Sequence, residues 1–139
     1  MSTAEIAVRL VVAAMLGGLA GVERQWQHKH AGVRTHTLVA LGSAGFTIVS
    51  LLGLGPTTNP MVIAGGVVTG IGFIGGGVIM HRGQMVQGIN TAATLWTTAS
   101  IGLAEGAGYH MVAVLVFVLL LFVQFPMRWV EDWIDRRAT

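Results

Sequence analysis

The segment Asn59–Met80 constrains this chain more than any other, because it is uncharged, apolar and long enough to cross a bilayer. A helix needs about 20 apolar residues to span the hydrocarbon core. The segment also holds seven glycines, which weaken an isolated helix but allow helices to approach closely in lipid. On a helical projection they fall on two faces, one with Gly66 and Gly70 and one with Gly72 and Gly76. We therefore predict that this third helix is the glycine-rich central helix of a membrane bundle.

The composition supports a membrane protein. Of 139 residues, 53% are hydrophobic and only 10% are charged, whereas soluble domains carry about 25% charged residues. The chain lacks cysteine, which excludes disulfides and thiolate metal sites, and its few basic residues flank apolar runs, so we expect no nucleic-acid partner. We predict an all-α fold, a polytopic transmembrane helix bundle in one domain (1–139), with five spans and an amphipathic C-terminal tail in the membrane interface. The predicted spans are 4–22, 35–54, 60–80, 91–104 and 110–125, and the tail is 126–139.

Local signals place the first helix and one packing surface. Ser2 and Glu5 have the spacing of a capping box, which predicts a helix that starts at Thr3. Within that helix Gly17 and Gly21 form, with a preceding alanine, a stripe of small residues. Such stripes mark close helix contacts in membranes, and we expect this stripe to face the third helix.

Other signals place the later helices. Asn59 is a natural N-cap with Pro60 in the first turn, and Asn90 is a natural N-cap for the fourth helix after a polar loop at 81–89. The fifth helix contains no glycine, so we expect it at the lipid-facing periphery. Trp129 and Trp133 lie on one face of the tail, as in helices that lie in the membrane interface.

The basic residues predict the orientation of the chain, because cytoplasmic loops are enriched in lysine and arginine. The second and fourth loops lack basic residues, whereas the first loop, the third loop and the tail carry them. We therefore place the N-terminus outside and the C-terminus in the cytoplasm. The residues that decide this are Arg24, Lys29 and Arg34 in the first loop, Arg82 in the third, and Arg128, Arg136 and Arg137 in the tail.

With this orientation, the second and fourth helices both begin at the cytoplasmic face, where helix N-termini carry unpaired N–H groups and partial positive charge. We hypothesise that polar residues at the helix ends converge into one mouth below the third helix, with a positive potential relieved only by Glu23. Such a mouth fits an anion, a lipid headgroup or an acidic partner segment. Its residues are Glu23, Arg24, Arg34, Thr35, His36, Asn90, Thr91 and Thr94.

The simpler alternative for these residues is structural. Arg24 and Arg34 would then be orientation anchors, Glu23 would be the ion-pair partner of one of them, and Asn90 would be only a helix cap.

Four segments together resemble the membrane domain of the MgtC/SapB family, in the order found there. They are G-x-x-x-G-x-E-R-Q from Gly17, A-G-V-R-T-H-T-L-V from Ala31, G-I-G-F-I-G-G-G-V-I from Gly70 and G-I-N-T-A-A-T-L-W from Gly88. The resemblance implies a multi-pass protein of the bacterial inner membrane, linked to magnesium limitation, stress and virulence. Many members add a soluble C-terminal domain, and functions assigned to that domain are not carried over to these residues.

The resemblance leaves two function classes open. The first is a regulator that binds other membrane proteins, and the second is a transporter or channel for Mg²⁺ or another small solute. Mg²⁺ sites in proteins use oxygen ligands, usually one or two carboxylates, and acidic residues inside a membrane mark ion paths. The acids near the predicted spans, Glu5, Glu23 and Glu105, all lie at helix ends, which favours the regulator.

Metal-binding and enzymatic functions have weaker support. His28, His30 and His36 are close in sequence but are not accompanied by cysteine or aspartate, and zinc needs three or four ligands in a defined geometry. There is no nucleophile with a base and an acid, so we predict neither a metal, a cofactor nor an enzyme. The two small-residue faces of the third helix predict a homo-oligomer, for which a dimer is the commonest form, alongside membrane lipids as partners.

Overall fold

The computed structural model describes residues 1–53, 59–83 and 85–138. Within them the chain forms six helices and one antiparallel hairpin. These are α1 (Thr3–Trp26), α2 (Val33–Leu52), α3 (Pro60–Gly77), β1 (Met80–Arg82), β2 (Met85–Gln87), α4 (Ile89–Gly106), α5 (His110–Gln124) and α6 (Pro126–Ala138). The predicted ends of the second span, residue 54, and of the tail, residue 139, lie outside the described residues, as do the side chains of Arg82 and Arg128.

The predicted all-α membrane bundle is confirmed. Among the described residues, the segments Thr3–Trp26, Val33–Leu52 and His110–Glu131 are long and apolar enough to cross a membrane, and Met61–Gly77 is a shorter apolar helix. The number of five spans stays a prediction, because α4 is not apolar enough to be recognised as a span by length and composition alone.

The first helix starts as its capping signal predicts. The Glu5 backbone N–H donates to Ser2 Oγ at 3.2 Å, and α1 begins at Thr3. One turn further, Arg9 forms an ion pair with Glu5 at 2.5 Å. Arg9 Nη1 also donates to the Gly106 carbonyl oxygen at 2.8 Å, so the start of α1 is joined to the C-terminal end of α4.

The centre of the bundle is α4, and the prediction of a central third helix is wrong. Helix α4 contacts α1, α2, α3 and α5, whereas α3 packs mainly on α2 and α4. Leu95, Thr98 and Ile101 of α4 are fully buried. The small and hydroxyl-bearing residues of α4 allow four neighbours to approach, and these neighbours shield a helix that is too polar to face lipid on its own.

The small-residue stripe of α1 packs against α2 rather than α3, which corrects the predicted partner. A Cβ atom added to Gly17 would lie 2.6 Å from Ala40 Cβ, and one added to Gly21 would lie 2.8 Å from Gly32 O and Val33 Cα. The two glycines therefore permit the tight contact between α1 and the start of α2. The role of Gly17 and Gly21 in helix packing thus has a clear structural basis.

The contact between α2 and α4 depends on glycines of α4. A Cβ added to Gly102 would lie 2.1 Å from Ala40 O, and one added to Gly106 would lie 2.6 Å from Ala44 O. Each of these distances is too short for a side chain of any size, so the α4 backbone lies directly on the α2 backbone.

The glycines of α3 are open within this chain. A Cβ added to Gly66, Gly70, Gly72 or Gly76 would meet nothing within 4 Å. The helix instead touches α4 at Gly75, whose added Cβ would lie 3.5 Å from Ala92 Cβ. The predicted packing role of these four glycines therefore has no counterpart among the described residues of one chain.

A hairpin replaces the predicted polar loop before α4. Strands β1 and β2 pair antiparallel, with His81 opposite Val86, and Gly88 then adopts a left-handed conformation with φ of 95° as the N-cap of α4. Asn90 therefore lies inside the first helical turn, and its predicted role as a cap is wrong. Asn59, in contrast, does cap α3, because its Oδ1 accepts from Met61 N at 3.0 Å.

The last two helices lie at the edge of the bundle. In α5 only Ala113 and Leu120 are buried, in agreement with the predicted peripheral position. Helix α6 begins at Pro126, and its Trp129 and Trp133 are exposed. The Arg137 guanidinium lies over the Trp133 ring, 4.0 Å from its centroid. The position of this tail in the membrane interface stays a prediction.

Candidate functional site

A polar cleft of about 940 Å³ opens at the N-terminal end of α4. Its walls come from the C-terminal ends of α1 and α5, from β2, and from α6. The polar residues that line it are Glu23, Arg24, Gln27, His28, Lys29, His30, Gln87, Asn90, Thr91, Thr94, Thr97, Gln124 and Glu131. Apolar residues, among them Leu120, Val123 and Met127, line its α5 and α6 side. We refer to this region as the polar cleft.

A buried hydrogen bond joins the two helices that carry most of the polar cleft. Arg24 Nη2 of α1 donates to Thr91 Oγ1 of α4 at 2.7 Å. Arg24 is 7% exposed and Thr91 is 4% exposed, so the bond is shielded from water. A hydrogen bond to a charged group contributes about 1.5–3 kcal/mol. Arg24 is therefore more than an orientation anchor, because it fixes α1 against the first turn of α4.

Glu23 is also buried, at 4% exposure, but among the described side chains it forms no salt bridge with an arginine, contrary to the simpler alternative. Its Oε1 accepts a hydrogen bond from Gln27 Nε2, one turn later in α1. Its Oε2 has no hydrogen-bond partner among the described residues. The cleft wall thus contains a carboxylate oxygen without a donor.

The predicted mouth is only partly assembled. Glu23, Arg24, Asn90, Thr91 and Thr94 line the polar cleft together. The remaining three predicted residues do not join them, because they lie on the first turn of α2. They are Arg34, Thr35 and His36.

These three residues of α2 have different surroundings. Arg34 and Thr35 border a separate, shallower pocket with Gln25 and His30. His36 is fully buried, and its Nδ1 lies 2.9 Å from the Gly32 carbonyl oxygen. His36 is thus part of the contact between α1 and α2, and the geometry gives it a structural position.

Three threonine hydroxyls of α4 donate to their own helix. Thr94 Oγ1 donates to Asn90 O at 2.6 Å, and Thr98 Oγ1 donates to Thr94 O at 2.9 Å. Thr97 Oγ1 likewise donates to Ala93 O at 3.0 Å. Such back-bonding is common for threonine in helices. These three hydroxyl protons are therefore used within α4, and each oxygen keeps its acceptor lone pairs.

The charge of the polar cleft differs from the prediction. Two cations, Arg24 and Lys29, and two carboxylates, Glu23 and Glu131, line it among the described residues. With neutral histidines the formal charges of these four residues cancel, so the expectation that Glu23 is the sole carboxylate of the mouth is wrong. The reason is that α6, which follows α5, also lines the cleft and contributes Glu131.

Sequence reasoning missed Gln124, which projects from α5. It lines the polar cleft, and both its Oε1 and its Nε2 are buried without a hydrogen-bond partner among the described residues. Arg24 Nε is likewise buried without a hydrogen-bond partner among the described residues. A buried polar atom left unpaired costs about 1–3 kcal/mol. The signal for Gln124 was available, because it is the sole polar residue in the apolar run from Met111 to Phe125.

A second polar cluster lies at the opposite end of α4. Glu105 is fully buried, and its Oε1 lies 2.5 Å from His110 Nδ1. Arg9 lies beside it and donates to the Gly106 carbonyl oxygen. Among the described residues, no group of three histidine, cysteine, aspartate or glutamate side chains is placed to hold a metal ion. Because Arg9 binds the carbonyl oxygen of the last residue of α4, its positive charge lies at the C-terminus of that helix, where the helix dipole makes a cation favourable.

Comparison with known proteins agrees with the four motifs. The family profile described as MgtC family matches residues 10–133 of the chain. The chain belongs to the MgtC family. This family assignment, together with the apolar helices, makes it a multi-pass membrane protein.

Several curated relatives share over two fifths of their aligned residues with this MgtC-family chain. Protein MgtC of Brucella abortus is 47% identical over 125 residues, which cover 90% of this chain and 52% of the relative. The putative magnesium transporter YhiD of Escherichia coli K12 is 44% identical over 128 residues, 87% of this chain and 60% of the relative. An uncharacterized protein of Synechocystis is 44% identical over 133 residues, 96% and 56% of the two chains.

The chain thus spans somewhat more than half the length of the curated relatives it matches. No solved structure is significantly similar to it.

Proposed function

We propose that this chain is a regulatory membrane protein of magnesium limitation, which binds a polar segment of another membrane protein in its polar cleft. The observation that carries the proposal is the buried Arg24–Thr91 hydrogen bond at 2.7 Å. It holds a guanidinium in the wall of a large cleft whose other polar groups include hydroxyls, amides and carboxylates. Such a mixed wall can recognise a polypeptide or lipid segment through several hydrogen bonds at once.

Transport of Mg²⁺ is the second candidate, and one relative carries the name putative magnesium transporter. The structure of the polar cleft weighs against it. Arg24 is a fixed cation in the wall, and it repels a divalent cation at close range. Mg²⁺ also needs oxygen ligands with near-octahedral geometry, and among the described residues no group of three histidine, cysteine, aspartate or glutamate side chains is placed to hold a metal ion.

We also propose that the polar cleft opens at the cytoplasmic side of the inner membrane, because the loops rich in basic residues are expected there. We further propose that two copies associate through α3. An added Cβ at its Gly66, Gly70, Gly72 or Gly76 would have no neighbour within 4 Å in the described part of one chain. Small residues of this kind mediate helix association in membranes.

The function is tested by growth in magnesium-poor medium. A bacterial strain that lacks its own MgtC-family gene receives this chain, its Arg24→Gln variant or its Arg34→Gln variant. Arg34 is the matched control, because it is an exposed arginine on α2 outside the polar cleft. We expect the unmodified chain and Arg34→Gln to restore growth and Arg24→Gln to fail at equal membrane abundance.

A second measurement separates regulation from transport. Purified chain in proteoliposomes with an enclosed Mg²⁺ indicator should give no more flux than empty liposomes. Mg²⁺ flux that depends on the protein and is abolished by Arg24→Gln would replace the regulator with a transporter. Equal loss of growth in the Arg24 and Arg34 variants would remove the polar cleft from the function.

A further inference from the structure

The polar cleft contains unpaired buried atoms of opposite character. Glu23 Oε2 can only accept a hydrogen bond, Arg24 Nε can only donate one, and the Gln124 amide can do both; all are buried without a partner among the described residues. Glu23 and Arg24 are more than nine-tenths buried. Buried polar groups in proteins nearly always have partners, so this combination indicates a ligand with both donors and acceptors.

The charge balance of the cleft narrows the class of ligand. A simple anion would pair with Arg24 but would be repelled by the unpaired carboxylate of Glu23. A simple cation would pair with Glu23 but would be repelled by the Arg24 guanidinium. The described lining residues carry two positive and two negative groups. A zwitterion whose cationic group can donate hydrogen bonds satisfies Glu23 and Arg24 together.

The apolar wall indicates that the ligand is amphiphilic. Leu120 and Val123 of α5 and Met127 of α6 line the same cleft as the charged residues. Helix α5 is apolar and mostly exposed, so in a membrane its outer surface is in contact with acyl chains. A lipid can therefore place its headgroup in the cleft while its chains lie along α5.

We propose that the polar cleft binds the headgroup of an ethanolamine phospholipid, its ammonium at Glu23 and its phosphate at Arg24. Rotation of the Glu23 and Gln124 side chains turns their unpaired atoms toward the headgroup, and the acyl chains lie against Leu120, Val123 and Met127. This inference rests on the proposed function in that both use the same cleft, and the lipid is the occupant that a partner segment displaces.

The proposal is tested with the purified full-length chain in detergent and native mass spectrometry. Phosphatidylethanolamine, phosphatidylcholine and phosphatidylglycerol with identical acyl chains are added separately. The choline ammonium is fully methylated and cannot donate a hydrogen bond to Glu23, and the glycerol headgroup has no cation. We expect phosphatidylethanolamine to bind about tenfold more tightly than either, a difference equivalent to one charge-assisted hydrogen bond.

Variants assign this preference to the cleft. Glu23→Gln should reduce the preference for phosphatidylethanolamine over phosphatidylcholine to near parity. Glu5→Gln is the matched control, because Glu5 lies at the other end of α1 and is exposed, and it should keep the preference. If Glu23→Gln does not fold, the comparison of the three lipids on the unmodified chain still decides the proposal.

Three results would overturn the inference. These are equal binding of the ethanolamine and choline lipids, tighter binding of phosphatidylglycerol, and binding of free phosphoethanolamine as tight as that of the lipid, which would remove the role of the acyl chains. Because these measurements contain no cellular partner, they fail or succeed independently of the growth experiment. Loss of lipid selectivity with normal growth would reject the lipid site alone.

Discussion

Replacement of Gly102 by alanine should destabilise the bundle, because the α4 backbone lies directly on the α2 backbone at this position. A Cβ added to Gly102 would lie 2.1 Å from Ala40 O and 2.8 Å from the Ala40 carbonyl carbon, whereas ordinary contacts begin at 3.4 Å. Both neighbours are backbone atoms and cannot rotate away. Gly102→Ala therefore forces the two helices apart at the centre of the bundle.

The size of the effect follows from two opposing terms. Forcing an extra methyl group into a packed core costs about 1–3 kcal/mol, and alanine recovers up to about 1 kcal/mol through its higher helix propensity. We expect a net loss near 2 kcal/mol in the free energy of unfolding, which lowers the folding equilibrium constant by more than tenfold. The overlap distance places this substitution at the costly end of the range.

The assay is reversible unfolding in detergent, followed by the loss of helical circular dichroism as the fraction of SDS is raised. Gly42→Ala is the control, because Gly42 lies on α2 and its added Cβ would meet nothing within 4 Å. That variant should be unchanged or slightly more stable. Equal stability of Gly102→Ala and Gly42→Ala would refute the conclusion that α4 is the packed centre of the bundle.

Three further predictions concern single contacts, each checked by the same unfolding assay or by hydrogen exchange. Thr91→Val removes the hydroxyl that accepts the hydrogen bond of the buried Arg24 guanidinium, and it should lower the free energy of unfolding by about 1.5–3 kcal/mol. Thr91→Ser keeps the hydroxyl and should keep most of the stability. Equal losses of stability in the two variants would contradict this role of the hydroxyl. Gly88→Ala should destabilise the start of α4 more than Gly83→Ala destabilises the hairpin turn. Both have positive φ, but only the Cβ of Gly88 would meet a backbone oxygen, at 2.1 Å, and similar exchange rates in the two variants would argue against that clash. Ser2→Ala should destabilise the first turn of α1 by about 0.5–2 kcal/mol, which is measured as faster amide exchange near the N-terminus. Ser2→Asp keeps a capping oxygen and should keep the slower exchange. Unchanged exchange in Ser2→Ala would mean that the cap contributes nothing.

Features that depend on neighbouring residues could be predicted from the sequence. The Ser2 cap, the Glu5–Arg9 ion pair and the Asn59 cap all join residues within four positions of each other. The hairpin before α4 was missed because its strands have only three residues each, too few for an alternating pattern to be visible. That error moved the predicted cap from Gly88 to Asn90.

The arrangement of the helices was harder to predict from the sequence. A stripe of glycines indicates that another helix can approach closely, but it does not indicate which helix that is. The glycines of α3 are more numerous than those of α4, yet Gly102 and Gly106 make the tightest contacts with α2. The residues that line the polar cleft were also only partly predictable from the sequence. Five of these residues were predicted from helix ends, but Arg34 borders a different pocket, and Glu131 was missed because it lies on α6, which was expected to lie apart in the membrane interface.

The Arg24–Thr91 hydrogen bond has a consequence for how the chain is assembled in the membrane. Its two partners are 67 positions apart, so the ribosome delivers α1, α2, α3 and the hairpin before the acceptor exists. During that interval the guanidinium at the end of α1 has to remain hydrated or in contact with lipid phosphates at the membrane surface. Burial of Arg24 and entry of α4 between its four neighbours are therefore a single late event, and a chain truncated before α4 would leave α1 anchored at the surface with its arginine in water.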